Sequence, residues 1–127
     1  MAHWLYYNPN PSRNRVDDCV IRAICAATGA NWKDVHAELA ALSYTMDDIQ
    51  IGNAVWRAYM LRHGFRLHAI DNSCPDCYTV GDFADDHPQG VYLLGTGQHA
   101  VTIVDSCVLD NWDSRECCPI YFYSKEE

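Results

Sequence analysis

Asp17-Asp18-Cys19-Val20-Ile21-Arg22-Ala23-Ile24-Cys25-Ala26-Ala27-Thr28-Gly29 is the stretch around which the rest of the chain can be organised. Ile21, Ile24, Cys25 and Thr28 recur at i, i+3, i+4 and i+7, the spacing of one apolar helical face. Asp17 or Asp18 can cap the start of this helix, and Gly29 can close it. Cys19 then falls in the first turn, where unpaired backbone N–H groups and the helix dipole favour a thiolate. Cysteine is also among the residues most often buried, so by default a helix cysteine is a small hydrophobe. A catalytic reading requires a base supplied from elsewhere in the chain.

Composition narrows the setting. The chain has 127 residues, of which 49% are hydrophobic, enough for one globular domain with a real core. No apolar run approaches the roughly 20 residues that span a bilayer, and Met1 to Asn10 lacks the charged start and apolar middle of a signal peptide. A cytoplasmic protein is expected, with no membrane partner. The seven cysteines are odd in number and irregular in spacing, which argues for free thiols over a disulfide framework. A net charge of −8 provides no basic footprint for nucleic acid.

Taken in order, Trp4-Leu5-Tyr6-Tyr7 is a short apolar stretch, followed by a polar lead-in, Asn8-Pro9-Asn10-Pro11-Ser12-Arg13-Asn14-Arg15, that resists helix formation. After the first helix, Asn31 reads as the N-cap of a second, with Trp32, Val35, Leu39 and Leu42 at helical spacing to about Ser43. A third is predicted from about Asn53 to His63, with Val55, Trp56, Tyr59 and Met60 inward and Gly64 at its end. Phe65 to Ile70 alternates as a strand does, and a short helix over Val80 to Asp86 can be capped by Thr79. Further strands are predicted at Val91–Leu94, Ala100–Val104, Val108–Trp112 and Ile120–Tyr123, with Ser124 to Glu127 as a charged tail. Helices followed by closely connected strands indicate an α+β fold, with N-terminal helices packed on a C-terminal antiparallel sheet.

The candidate base lies in that sheet. If Asp105-Ser106 is a two-residue hairpin loop, Val104 faces Cys107, and counting back sets Val101 opposite Asp110 and His99 opposite Trp112. Asp110 is then the diagonal neighbour of His99 at roughly 7–8 Å, within side-chain reach. Trp112 can shield the resulting hydrogen bond from water. A three-residue loop would shift the register by one and present Asn111 and Asp113 instead. Cys19, His99 and Asp110 would supply a nucleophile, its general base and acid, and the group that orients the base. Arg22, one turn after Cys19, fits a salt bridge to Asp17 or Asp18 better than a substrate anion, and Cys25 reads as packing.

Cys74-Pro75-Asp76-Cys77 admits other readings. A zinc site would need two more ligands, and only His68 and His87 lie near, at spacings unlike those of zinc fingers. A redox pair would need a βαβ context that the motif lacks. A turn with two buried thiols is the favoured reading, and neither a metal nor any other cofactor is expected.

The pattern resembles that of the papain-like cysteine peptidases: Asp18-Cys19 at a helix start, then His99-Ala100-Val101, then Asp110-Asn111-Trp112, which is similar to the family's Asn-Ser-Trp. Together with Cys74-Pro-Asp-Cys-Tyr-Thr-Val80, it is also similar to small papain-fold proteins of phages and gut bacteria. The resemblance implies a single papain-like domain over residues 1–127, with Cys19 as nucleophile, His99 as base and acid, Asp110 as orienter and Trp112 as shield. It implies a cysteine peptidase or related thiol acyl-transfer hydrolase acting on a peptide, isopeptide or amide of a protein or peptide substrate. The chain departs from the family six residues before the cysteine, where Arg13 replaces the oxyanion glutamine; Asn14, one residue on, is the amide that can donate instead. The alternative is a papain-fold binding protein without turnover, such as a phage factor engaging a host protein or nucleotide.

Overall fold

A computed structural model describes residues 2–71 and 78–125. The chain begins with strand β1 (His3–Tyr6), and three helices follow: α1 (Cys19–Thr28), α2 (Trp32–Met46) and α3 (Asn53–Arg62). Strand β2 (Phe65–Ala69) leads to helix α4 (Val80–Asp86) and then to strands β3 (Val91–Gly95), β4 (Ala100–Val104), β5 (Cys107–Asp110) and β6 (Tyr121–Lys125). All six strands join one sheet in the order β1-β5-β4-β3-β6-β2.

The helix signals have physical counterparts. The side chain of Asn31 accepts the Asp34 N–H at 2.9 Å, and Thr79 and Asp82 form a reciprocal capping box at the start of α4. Gly29 closes α1 in the left-handed conformation at φ 78°, where its N–H bonds the Cys25 carbonyl. At the other end of α1, Asp18 occupies the cap position without making a capping bond. Its carboxylate is engaged elsewhere, so it does not satisfy the N–H groups of the first turn.

The α+β class is as expected, and the arrangement within it differs in three respects. A strand precedes the helices, the sheet is mixed because β1 runs parallel to β5, and the helices are not all N-terminal, since α4, at the bounds read for it, lies between β2 and β3. β1 pairs His3 with Cys107 through Tyr6 with Asp110, satisfying backbone groups on β5 that would otherwise form an open edge. Most strand boundaries fall within one residue of those expected, and two strand ends move by two. The last strand extends to Lys125, taking in residues expected as tail, because Ser124 and Lys125 pair with Arg66 and Phe65. β5 stops at Asp110, short of the expected Trp112, where the Asp110 carboxylate takes the N–H of Asn111 at 2.8 Å.

The sheet has a core on each face. On one side Ile21, Ile24 and Cys25 of α1 pack with Val35, Leu39, Val55, Trp56 and Met60 against Leu93, Ala100 and Tyr123. On the other, Val80, Phe83 and Ala84 of α4 cover Leu94, Val101, Ile103 and Val108. The wholly buried Thr102 donates its hydroxyl to the Ala23 carbonyl at 2.6 Å, tying β4 to α1 through the middle of the core. Among the described residues no helix is long and apolar enough to cross a membrane. The Cys74–Cys77 segment, whose favoured reading was a turn, lies outside the described residues.

Candidate active site

Three separate pieces of local structure bring the candidate residues together. α1 presents Cys19 as its first residue, half-buried. The Gly95-to-Gln98 turn delivers His99 immediately before β4; the Thr96 N–H bonds the His99 carbonyl at 2.9 Å, and Thr96 Oγ1 accepts the His99 N–H at 3.0 Å. Asp110 ends β5, across the Asp105-Ser106 hairpin. Both loop residues have positive φ (49° and 69°), as a type I′ turn requires, and Val104 pairs with Cys107. The two-residue loop and its register are therefore those expected, and Asp110 is the acid that meets the histidine.

His99 Nε2 bonds Asp110 Oδ2 at 2.7 Å, leaving Nδ1 for the Cys19 thiol, with which His99 shares a second hydrogen bond. Burial pushes the thiol pKa up, yet the hydrogen bonds from His99 and from the Ala100 N–H, with the nearby His99 and Arg22 charges, bring Cys19 below the ordinary cysteine value. Burial would lower the imidazole pKa; its bonds to Asp110 and Cys19 and their charges instead raise it from 6.5 to about 9. Both shifts favour a thiolate–imidazolium pair at neutral pH. Cys25 shows the contrast, since burial leads the causes that push its thiol up to about 11, as suits packing.

Asp110 is completely buried and held from every side. Its Oδ1 accepts from Arg22 Nη2 at 2.9 Å, Arg22 Nε at 3.1 Å and the Asn111 N–H at 2.8 Å, while Oδ2 accepts from Ser114 Oγ at 2.6 Å as well as from His99. Its backbone carbonyl receives the Tyr7 N–H at 2.7 Å and Trp4 Nε1 at 3.2 Å. Burial alone would raise its pKa, and the bonds from His99 and Ser114 and the charges of His99 and Arg22 outweigh it, so the carboxyl is held below its usual range.

Arg22 forms the expected salt bridge to Asp18, and it also reaches Asp110. Asp18 in turn accepts Trp32 Nε1 at 2.8 Å through its other oxygen. A buried chain Asp18–Arg22–Asp110–His99–Cys19 thus links the helix start to the strand ends. Ser114 and the second contact of Arg22 were not foreseen. A hydroxyl four residues after the candidate orienter was the available signal for Ser114; a contact spanning 88 residues leaves none for Arg22.

Asp113 pairs with Arg115 at the surface and takes no part. The Trp112 ring lies 4.8 Å from the His99 ring, tilted 48°, and is 41% exposed, so it covers the imidazole on one side. Asn14 is exposed, its carbonyl accepts from Asn8 Nδ2 at 3.1 Å, and it lines neither of the clefts at Cys19. From that loop Arg15 and Asp17 face the site, Arg15 fixed by a 3.0 Å bond to the Asn111 carbonyl.

Two clefts meet at Cys19 and His99: one of about 380 Å³ toward Arg15, Asn111 and Trp112, and one of about 180 Å³ toward Asn53, Gln98 and Tyr121. An acyl compound lying across both would present its carbonyl to the thiolate. Comparisons with protein-family models, curated proteins and solved structures found no match to the chain, so the site is read on its own geometry.

Proposed function

We propose that the chain is a cysteine-dependent acyl-transfer hydrolase of papain-like architecture, cleaving an amide of peptide, isopeptide or related type in a protein or peptide substrate. One observation carries this reading: the buried Asp110 carboxylate fixes His99 through Nε2 while the other face of the imidazole holds the first-turn Cys19. A buried, fully bonded orienter of this kind is what a catalytic imidazole needs.

In this mechanism the Cys19 thiolate attacks the carbonyl carbon, and the C=O electron pair moves onto oxygen. The backbone N–H of Cys19 at the uncapped helix start is placed to receive the oxyanion. Asn14 would join it only after movement of its loop. His99 then gives its proton to the leaving nitrogen as the C–N bond breaks, leaving a thioester on Cys19. Water, deprotonated by His99, attacks the thioester; the acid departs and the thiolate–imidazolium pair is restored. Cys19, Cys25, Cys107 and Cys117 are free thiols, which suits a reducing cytoplasm.

The test is to treat the native protein with iodoacetamide and with an amide-directed electrophile and to map the adducts by mass spectrometry. Cys19 should react first, and His99→Ala should slow it more than tenfold. Labelling of other cysteines ahead of Cys19 in the folded protein would sink the assignment and favour a papain-fold binding protein.

A further inference from the structure

Resting on the reading of Cys19 as nucleophile, we infer that the Asn53 side of its cleft continues as a substrate groove. The groove takes a peptide with an apolar side chain over Tyr121 and an acidic side chain, about two residues farther from the scissile bond, at Arg57.

Asn53 and Tyr121 line both the cleft at Cys19 and a second depression completed by Arg57, Leu67, Ala69 and Tyr123. The floor of that depression is a block of cross-strand pairs, Ala69 opposite Tyr121 and Leu67 opposite Tyr123. The small Ala69 beside the large Tyr121 leaves the hollow. Tyr121 itself is seated by Gly95, where a Cβ would come within 2.1 Å of the tyrosine ring. Trp56 of α3 packs on both tyrosines, with ring centroids 6.0 and 5.3 Å away, so α3 forms the wall and the strand pair the floor.

The two sides share a repeat. Asn53 to Arg57 is four residues of helix, about 6 Å, and Tyr121 to Tyr123 is two residues of strand, about 7 Å. An extended peptide advances the same distance in two residues and returns the same side-chain face. A substrate residue beside Asn53 and Tyr121 therefore sets its second neighbour beside Arg57 and Tyr123.

Arg57 supplies the charge preference. It is exposed, and no carboxylate among the described residues pairs with it. It lines the depression with Tyr123 but not the cleft at Cys19, which puts it toward the groove's far end, and its charge acts against the burial and the Tyr121 charge that push the Tyr123 hydroxyl up to about 12. In a chain of net charge −8, an exposed cation with no carboxylate partner among the described residues, set over an apolar floor, selects an anionic side chain.

The test uses epoxysuccinyl probes bearing Phe-Ala-X or Ala-Phe-Ala-X arms on either end of the electrophile, with X as Glu or Lys, and reads the rate of Cys19 modification. For arms entering this side, Glu should react about fivefold faster than Lys, as one exposed ion pair allows. Arg57→Glu should reverse that order, and Ala69→Phe, at an exposed position, should slow every such arm. Iodoacetamide should label Cys19 at the wild-type rate in both variants. Equal Glu and Lys rates from both ends, or a preference untouched by Arg57→Glu, with iodoacetamide still labelling Cys19, would overturn the groove and leave the nucleophile in place. Failure of iodoacetamide to label Cys19 in the native protein would overturn both.

Discussion

Arg22→Met is the most demanding test of the buried network. The arginine side chain is 4% exposed and bonds Asp18 and Asp110, themselves 3% and 1% exposed, so methionine would leave two carboxylates in the core without their cation. Removing one partner of such a pair costs about 3–5 kcal/mol. Asp18 would keep Trp32, and Asp110 would keep His99, Ser114 and the Asn111 N–H, so a loss toward the lower end, about 3 kcal/mol, is expected. Domains of this size have about 5–15 kcal/mol in total, so the variant should fold but melt at a markedly lower urea concentration. Arg22→Lys keeps the charge but not the fork, and should fall between the two. Adding Asp18→Asn to Arg22→Met removes one stranded charge and should recover part of the loss. Urea titration followed by tryptophan fluorescence measures all three. The pH profile of Cys19 alkylation gives a second readout: Arg22 helps hold the thiol pKa down, so its loss should move the profile to higher pH. An Arg22→Met protein within about 1 kcal/mol of wild type, with an unmoved profile, would show that the network contributes neither stability nor thiolate.

Asp110→Ala should slow Cys19 alkylation well over tenfold, whereas Asp110→Asn should retain part of the rate because an amide oxygen can still accept from His99; Asp113→Ala, at an exposed pair, should change little. Cys19→Ala removes one of the groups that raise His99, so the imidazole midpoint followed by NMR should fall below about 9. His99 is raised on folding, so its contribution is complete below 6.5 and lost as pH rises through about 9; the excess stability of wild type over His99→Gln should decline across that interval. Ser106→Ala keeps the loop's length but removes the 2.9 Å bond that Ser106 Oγ donates to the Ala84 carbonyl, and should destabilise the protein by about 1 kcal/mol in the same titration.

What was legible in the sequence was what short-range geometry decides. The α1 face follows from a 3.6-residue period, and the meeting of His99 with Asp110 follows from a two-residue loop, because a hairpin transmits its register along both strands. Contacts between distant segments left no such trace. The four residues of β1 are all exposed and show no alternation, so nothing local marks them as a strand; only the open edge of β5, more than a hundred residues on, makes them one. Arg22 with Asp18 is an i,i+4 pair that helix spacing reveals, whereas Arg22 with Asp110 depends on how β5 ends over α1. The uncapped helix start was hidden for the same reason, since Asp18 forgoes capping for partners that only the tertiary fold supplies.

The insertion of β6 between β3 and β2 constrains the order of assembly. Until Tyr121–Lys125 has been synthesised, β2 has no strand beside it, and the floor under α3 is missing its tyrosines. A nascent chain emerging from the ribosome can form α1 and the β3–β4–β5 meander, but it carries the half of the sheet next to α3 as an unclosed flap. Closing that flap joins segments more than fifty residues apart, the kind of long-range step that slows folding. Full closure of the protein around Cys19, whose cleft Tyr121 helps to line, is thus deferred until translation reaches β6.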